Sequence, residues 1–260
     1  MPDVTRDGVS IHYEVEGDGP PLVFSHGWIG SAQRWRDTGY VDALDDAFRL
    51  VMIDARGHGS SGKPDDAAAY VLSEQVGDVV AVLDDLGIER AHHWGYSMGA
   101  EVGFGLGQDH PDRVASLILG GVNPFPRTAA DKDEMVAWQA DLRGGIAAFV
   151  AGFERRHGPL PFEARERWLA NDGPALAASL AGTLELGLEH GLADMGMPCL
   201  LYGGTDDLFA TEMPAAAAAM PNAEFVALEG LDHLQAFLRS DLIVPLVRAF
   251  LVRSHEAGPV

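Results

Sequence analysis

The chain has 260 residues, room for one α/β domain of generous size, and its 47% hydrophobic content is that of a globular protein with a large core. With 39 acidic against 18 basic residues the formal charge is −21, which would repel nucleic acid and anionic lipid and reads most simply as a solvated acidic shell. The lone cysteine, Cys199, excludes an internal disulfide and sits in an apolar run, as a buried inert thiol would.

The opening residues Met1 to Gly8 lack the basic flank and apolar stretch of a signal peptide, and no apolar run is long enough to span a bilayer. The expectation is a soluble cytoplasmic protein with no membrane partner. Strand signals come first. Val9 to Glu16 alternates apolar and polar residues, Pro21 to Ser25 is a short buried-type run ending at His26-Gly27, and Phe48 to Ile53 is another ending at Asp54. Ser31 to Leu44 between them reads as mostly helical. Asp54 to Pro64 is punctuated by glycine and reads as a loop.

Ser73 to Leu86 predicts a helix, with Ser73 as its cap, Val76, Val79, Val80, Leu83 and Leu86 at helical spacing, and Gly87 closing it. An apolar-aromatic run, His92 to Tyr96, follows and ends in Gly95-Tyr96-Ser97-Met98-Gly99. This fits the G-x-S-x-G pattern, in which a serine occupies a sharp strand-to-helix turn. Glycine has no Cβ, so Gly95 and Gly99 would let the helix start close on the strand end. The pattern alone is weak evidence in a chain with 31 glycines. Met98 to Gln108 reads as a helix rich in small residues, and Val114 to Val122 as a strongly apolar strand. This alternation argues for a mainly parallel sheet with helices on both faces.

The rhythm changes between Asn123 and Met197. Asp131 to Leu142, Ile146 to His157, Phe162 to Asn171 and Pro174 to His190 predict helices with no strand among them, an all-helical insertion in a sheet protein. Alternation then resumes with strands at Cys199 to Tyr202 and Glu224 to Leu228, a helix over Thr211 to Met220, and a closing helix over Leu234 to Val252 bent near Pro245. The tail from Ser254 reads as frayed. The division that follows is a core of residues 1–122 and 198–260 and a helical cap of residues 123–197.

A serine hydroxyl is a weak nucleophile at neutral pH and requires a base, a group to orient that base, and donors for the developing oxyanion. Downstream, Tyr202-Gly203-Gly204-Thr205-Asp206-Asp207-Leu208 and Leu228-Glu229-Gly230-Leu231-Asp232-His233 each follow a predicted strand. An acid and a histidine thus fall in loops at the same sheet edge as Ser97, where sites in open α/β folds collect.

From about Val9 to Val252 the chain resembles the α/β-hydrolase fold family. The resemblance rests on His26-Gly27-Trp28, Asp54-x-Arg56-Gly57-His58-Gly59-x-Ser61, Gly95-x-Ser97-x-Gly99, Gly203-x-x-Asp206 and His233. Three positions depart from the family pattern: Ala100, Asp207 after the acid, and Asp232 before the histidine. The resemblance implies a mainly parallel, eight-stranded sheet flanked by helices, with a helical lid inserted after the strand that follows the nucleophile helix. It implies Ser97 as nucleophile, His233 as general acid/base and Asp206 as orienter. Asp207 is the competing acid, and Asp206 is preferred because Leu208 then falls where relatives carry an apolar residue. The backbone N–H groups of Trp28 and Met98 are the expected oxyanion donors.

His26 and the loop from Asp54 to Ser61 read as fixing loop conformation, and one of His92 and His93 as a satisfied core histidine. The other histidines show no ligand spacing, so neither a metal nor another cofactor is expected. Trp28, Phe125, Trp138 and Leu208 are the candidate pocket residues, and their apolar character suits an uncharged or hydrophobic substrate. The expected function is a serine hydrolase cleaving a carboxylic ester of a small to medium, largely apolar molecule through an acyl-enzyme. The same triad could run carbon–carbon bond, lactone, thioester or peracid chemistry, or stand nearly idle in a small-molecule receptor. Oligomeric state is left open.

Overall fold

The computed structural model describes residues 2–256. Eight strands form one sheet in the order β1-β2-β4-β3-β5-β6-β7-β8. They are β1 (Asp3–Arg6), β2 (Val9–Glu16), β3 (Pro21–Ser25), β4 (Arg49–Ile53), β5 (Ala91–Tyr96), β6 (Val114–Gly120), β7 (Cys199–Gly204) and β8 (Ala223–Leu228). β1 pairs antiparallel with β2, and β2 antiparallel with β4; every other pairing is parallel. The eight-stranded, mainly parallel sheet expected above is the one observed.

Period-2 alternation along the central strands divides the core into two layers. Leu22, Phe24, Leu50, Met52 and Trp94 point to one face, where Trp35, Tyr40 and Phe237 complete an aromatic cluster; the Phe24 and Trp35 rings are 4.6 Å apart. Val23, Val51 and Leu119 point to the other, against α2 (Leu72–Asp85) and α3 (Met98–Asp109). Strand β5 is buried along its whole length, as the centre of a doubly covered sheet must be. Cys199 is buried in the sheet, and burial raises its thiol to about 12, which makes it inert at neutral pH.

Several helices differ from expectation for local reasons. The stretch 31–44 holds only α1 (Gln33–Asp37); Gly39, at φ 78°, then turns the chain, and Val41 to Phe48 continue as hydrogen-bonded turns. Helix α2 starts at Leu72 behind Val71, so Ser73 lies within its first turn and is not the cap. The closing segment is two helices, α9 (His233–Phe237) and α10 (Ser240–Glu256), and the break falls at residues 238–239 and not at Pro245. Pro245 is exposed, so the carbonyl deprived of its donor in that turn is open to water. The tail expected to fray from Ser254 is helical through Glu256, and residues 257–260 lie outside the described residues.

Between β6 and β7 the chain forms four helices, α4 (Ala129–Leu142), α5 (Ile146–His157), α6 (Phe162–Leu169) and α7 (Gly173–Gly182), with no strand. Helix α4 has a capping box, Thr128 accepting from the Asp131 N–H and Asp131 accepting from the Thr128 N–H. Met135, Leu142, Phe149, Val150, Leu176 and Leu180 make a separate apolar cluster, which Trp28 and Ile29 of the His-Gly loop join from below. After β7, α8 (Met213–Ala219) carries the alanine run. No helix among the described residues is long and apolar enough to cross a membrane.

Candidate active site

Parallel register aligns Ser25, Gly95, Leu119 and Leu201 across the sheet, so the loops leaving β3, β5, β6, β7 and β8 emerge at one edge. Ser97 sits at the tip of β5 with φ 54° and ψ −120°, a conformation that costs a side-chain-bearing residue about 1–3 kcal/mol. Its surroundings over-determine that conformation. The Ser97 N–H donates to the Gly120 carbonyl at 2.8 Å, and the Ser97 carbonyl accepts from the Ala100 N–H at 2.8 Å. A Cβ on Gly95 would land on the Gly99 carbonyl, and a Cβ on Gly99 on the Ser25 carbonyl. Both contacts are to backbone, which has nowhere to move. Helix α3 starts at the next residue, so the Met98 N–H lies in its first turn, where no intrahelical carbonyl can reach it.

The His-Gly loop lies directly against this elbow: a Cβ on Gly27 would be 3.3 Å from the Ser97 Cβ. Gly30 N–H donates to the Gly27 carbonyl at 3.0 Å, and Ile29 takes φ 62°, so the chain doubles back around Trp28. Two tethers hold the loop. His26 Nε2 accepts from the Ala55 N–H at 3.1 Å, which puts the ring proton on Nδ1, where it donates to the Gly27 carbonyl at 2.9 Å. Burial pushes the His26 pKa down, keeping this tautomer neutral. Asp54 accepts from the Ala32 N–H and the Ser60 N–H, both at 2.7 Å. Arg56 then locks the loop to α2 through two 2.6 Å hydrogen bonds to Asp78. These polar groups are consumed in holding loops, as the sequence suggested.

His233 opens α9, with Asp232 as its N-cap. Its Nδ1–H donates to Asp207 Oδ2 at 2.8 Å, and the Asp207 side chain is 0% exposed. This corrects the preference for Asp206, whose side chain is exposed and whose contact is with the Thr205 hydroxyl at 3.5 Å. The cause is the length of β7. It continues past Tyr202 through Gly203 and Gly204, and the Asp206 N–H then donates to the Leu231 carbonyl at 3.1 Å. That turn carries Asp207 inward, where its second oxygen accepts from the Phe209 N–H at 3.0 Å. With a carboxylate as acceptor, the imidazole proton is fixed on Nδ1 and the lone pair on Nε2.

A strained serine at a helix start, a buried carboxylate and a histidine have thus been brought to one sheet edge in that chain order. Independent comparison agrees: the model of the alpha/beta hydrolase fold matches residues 20–161. The chain belongs to the α/β-hydrolase fold family. Over 200 residues it is 30% identical to a putative 2-succinyl-6-hydroxy-2,4-cyclohexadiene-1-carboxylate synthase of Bacillus subtilis (strain 168), covering 73% of this chain and 70% of that one. It is 28% identical over 272 residues to a non-heme chloroperoxidase of Streptomyces lividans, covering 95% of this chain and 98% of the other. Among solved structures, the enol-lactonase from Burkholderia xenovorans LB400 superposes with a TM-score of 0.85 at 25% identity, covering 96% of this chain and 100% of that one.

Of the four candidate pocket residues of this α/β hydrolase, Trp28 and Trp138 are placed together and Phe125 and Leu208 lie apart from them. Trp28 and Trp138 stack, ring centroids 5.4 Å apart and 5° from parallel, with Phe149 edge-on to Trp28. Phe125 packs on the core beneath and borders a small surface pocket with Glu101 and Arg127. Leu208 is 86% exposed. The core histidines also resolve. His92 Nδ1 lies 2.7 Å from the Ser116 hydroxyl and His93 Nε2 2.9 Å from the Ser25 hydroxyl, inside the sheet, and burial pushes His93 down to about 3.

Two positioning contacts went unread in the sequence. The Tyr96 hydroxyl donates to the His233 carbonyl at 2.7 Å, tying the elbow's variable residue to the histidine. A tyrosine on a fully buried strand must find a partner for its hydroxyl, and that was the available signal. Arg127, at the start of the helical segment, pairs with Glu101 of α3 at 2.7 Å and donates to the Thr183 carbonyl at 3.1 Å. Nothing local in the sequence announces a pair 26 residues apart. Among the described residues no group of three or more His, Cys, Asp or Glu could hold a metal ion.

Proposed function

We propose that this hydrolase cleaves carboxylic esters through an acyl-enzyme formed on Ser97. The observation that carries the reading is the pairing of an elbow serine at φ 54° with a histidine whose Nδ1 is held 2.8 Å from a buried carboxylate. Nε2 of His233 takes the Ser97 proton as Oγ attacks the ester carbonyl carbon. The resulting oxyanion is held by the Met98 and Trp28 N–H groups, and collapse expels the alcohol, which receives the proton from His233. Water, deprotonated by the same imidazole, then attacks the acyl-enzyme and releases the carboxylic acid and free Ser97. Asp207 holds the ring through Nδ1 and stabilises the imidazolium. The helices of residues 123–197 act as the cap over this site, with Trp28 joining cap to core.

A lactone is a cyclic ester and would be opened by the same steps, a reading favoured by the likeness to the enol-lactonase from Burkholderia xenovorans LB400. Ser97→Ala assayed against a panel of short p-nitrophenyl esters and simple lactones tests the assignment. Turnover should fall to background on every substrate the wild type accepts, and survival at the wild-type rate would remove Ser97 as nucleophile.

A further inference from the structure

Strand β6 lies between β5, which leads to Ser97, and β7, which leads to Asp207, and the residues leaving β6 touch both sides. The Gly120 carbonyl accepts from the Ser97 N–H at 2.8 Å, and the Gly121 N–H donates to the Tyr202 carbonyl of β7 at 3.0 Å. Two residues on, half-buried Asn123 reaches the turn that carries the acid. Its backbone N–H and its side-chain Nδ2 both donate to the Phe209 carbonyl, at 3.0 and 2.9 Å.

Phe209 passes that grip to the site. Its N–H donates to Asp207 Oδ1 at 3.0 Å, and its ring stands edge-on to the His233 imidazole with centroids 5.1 Å apart. It lies in a single 3₁₀ turn, Leu208–Ala210, in which Leu208 is exposed and Ala210 packs against Gly203. Beyond residues 204–211, the described residues give Asp207 and this turn two hydrogen-bonding partners, His233 and Asn123. Asn123 uses both ends of its amide. Oδ1 accepts from the Phe125 N–H at 3.0 Å, an Asx turn that starts the chain towards the inserted helices, while Nδ2 goes to the acid turn. A carboxylate accepts but cannot donate, so an aspartate here would keep the first bond and lose the second.

We propose that Asn123 is a positioning residue of this hydrolase, holding the Leu208–Ala210 turn so that Asp207 meets His233. This rests on the ester-hydrolase reading of Ser97, Asp207 and His233 for its chemistry. A carboxylate held by one oxygen can rotate about its Cβ–Cγ bond. The Phe209 N–H on Oδ1 removes that rotation and leaves Oδ2 to the imidazole. Slippage of the turn would move that N–H, and with it the acceptor of the His233 Nδ1 proton. Acylation and deacylation both use the His233–Asp207 pair, so loosening it slows both steps together and lowers kcat while KM stays nearly constant.

Three measurements test it. In Asn123→Ala, kcat on a p-nitrophenyl ester should fall about tenfold, the loss expected of one hydrogen bond, with KM within about twofold of wild type. Asn123→Asp keeps the turn at Phe125, so it carries the test should Asn123→Ala fail to fold, and its kcat should fall at least as far. Wild-type kcat in Asn123→Asp would reduce Asn123 to a turn former and overturn the proposal. The second measurement is a double-mutant cycle with Asp207→Asn. The loss from Asn123→Ala should shrink to within about twofold in that background, because the acid being positioned is gone; a loss that persists in full overturns the proposal, since general loosening acts on both backgrounds alike. The third is low-temperature proton NMR of the Ser97→Ala protein, which requires no turnover. The His233 Nδ1 proton, held against a carboxylate, gives an exchangeable resonance far downfield of the amides, identified by its loss in His233→Gln. It should broaden or move upfield when Asn123→Ala or Asn123→Asp is added. An unchanged resonance in both, or none in the parent, overturns the proposal. A resonance that responds to Asn123 supports the positioning role whatever becomes of the nucleophile, and turnover surviving Ser97→Ala counts against the hydrolytic assignment alone.

Discussion

Replacing Asp207 by Asn is the sharpest perturbation available at this site. Both carboxylate oxygens accept: Oδ2 from His233 Nδ1 at 2.8 Å and Oδ1 from the Phe209 N–H at 3.0 Å. An asparagine has one oxygen, so it can satisfy one of these donors and must present its NH₂ to the other. If the oxygen stays with Phe209, the amide donates to Nδ1 and drives the imidazole proton onto Nε2, where it faces Ser97 and blocks proton removal. If the oxygen turns to His233, two N–H donors oppose each other in a fully buried place. The first arrangement keeps the fold and inactivates the base, and triad aspartates replaced in this way lose on the order of 10⁴ in kcat, or about 5.5 kcal/mol of barrier. Asp206→Asn alters an exposed side chain and should change kcat less than about twofold. Steady-state kinetics on a p-nitrophenyl ester from pH 6 to 10 measure both variants, with near-ultraviolet circular dichroism to establish that Asp207→Asn is folded. A folded Asp207→Asn within about tenfold of wild type, or a collapse in Asp206→Asn, would refute the tautomer argument.

Two further outcomes follow from buried geometry. Ser97→Gly should be about 1 kcal/mol more stable than Ser97→Ala by urea unfolding, because glycine adopts φ 54° without the strain a Cβ carries there; equal or lower stability would mean that the elbow stores none. His58 and His93 are each pushed down to about 3 by burial, against an ordinary value of 6.5. Between those values the unfolded chain binds the protons and the folded chain does not, so their contribution is complete above about pH 6.5 and is lost as pH falls towards 3. Each histidine should add about 1.4 kcal/mol per pH unit to that loss, and His93→Gln should reduce the slope of unfolding free energy between pH 6.5 and 5 by that amount. An unchanged slope would show that His93 is not buried neutral.

The sheet was legible because its signals are local. Seven of its strands show apolar runs or alternation bounded by glycine, proline or aspartate, and the inserted helix α5 (Ile146–His157) coincides with the predicted boundaries because glycines stand on both sides of it. Strand β1 was missed for the opposite reason: Asp3–Arg6 is a short, half-exposed edge with one apolar residue, held by its antiparallel partner β2. The single long helix expected over Leu234–Val252 divides two residues after Phe237, not at the proline. The apolar pattern runs through both pieces, and only their separate packing on Tyr96 and on the sheet distinguishes them.

The acid shows where reading by position reaches its limit. Asp206 and Asp207 have the same chemistry and adjacent places, so counting residues from Gly203 or towards Leu208 cannot say which one turns inward. That depends on where β7 stops. The strand continues through Gly204 because the site admits no Cβ: one on Gly203 would strike Ala210, and one on Gly204 the Leu231 carbonyl. Both obstacles come from residues folded against the strand end, not from its own sequence. A two-residue extension leaves the alternation of faces unchanged, so it is the turn after Gly204, closed by the Asp206 N–H on the Leu231 carbonyl, that buries one carboxylate and exposes its neighbour. The same reasoning applies to Trp28. Its place after His26-Gly27 makes it a candidate pocket wall, and its ring stacks on Trp138, 110 residues later, in the apolar cluster of the inserted helices. The strained turn at Ser97 is therefore a property of five residues, whereas the carboxylate that meets His233 and the stacking of Trp28 are properties of the folded chain.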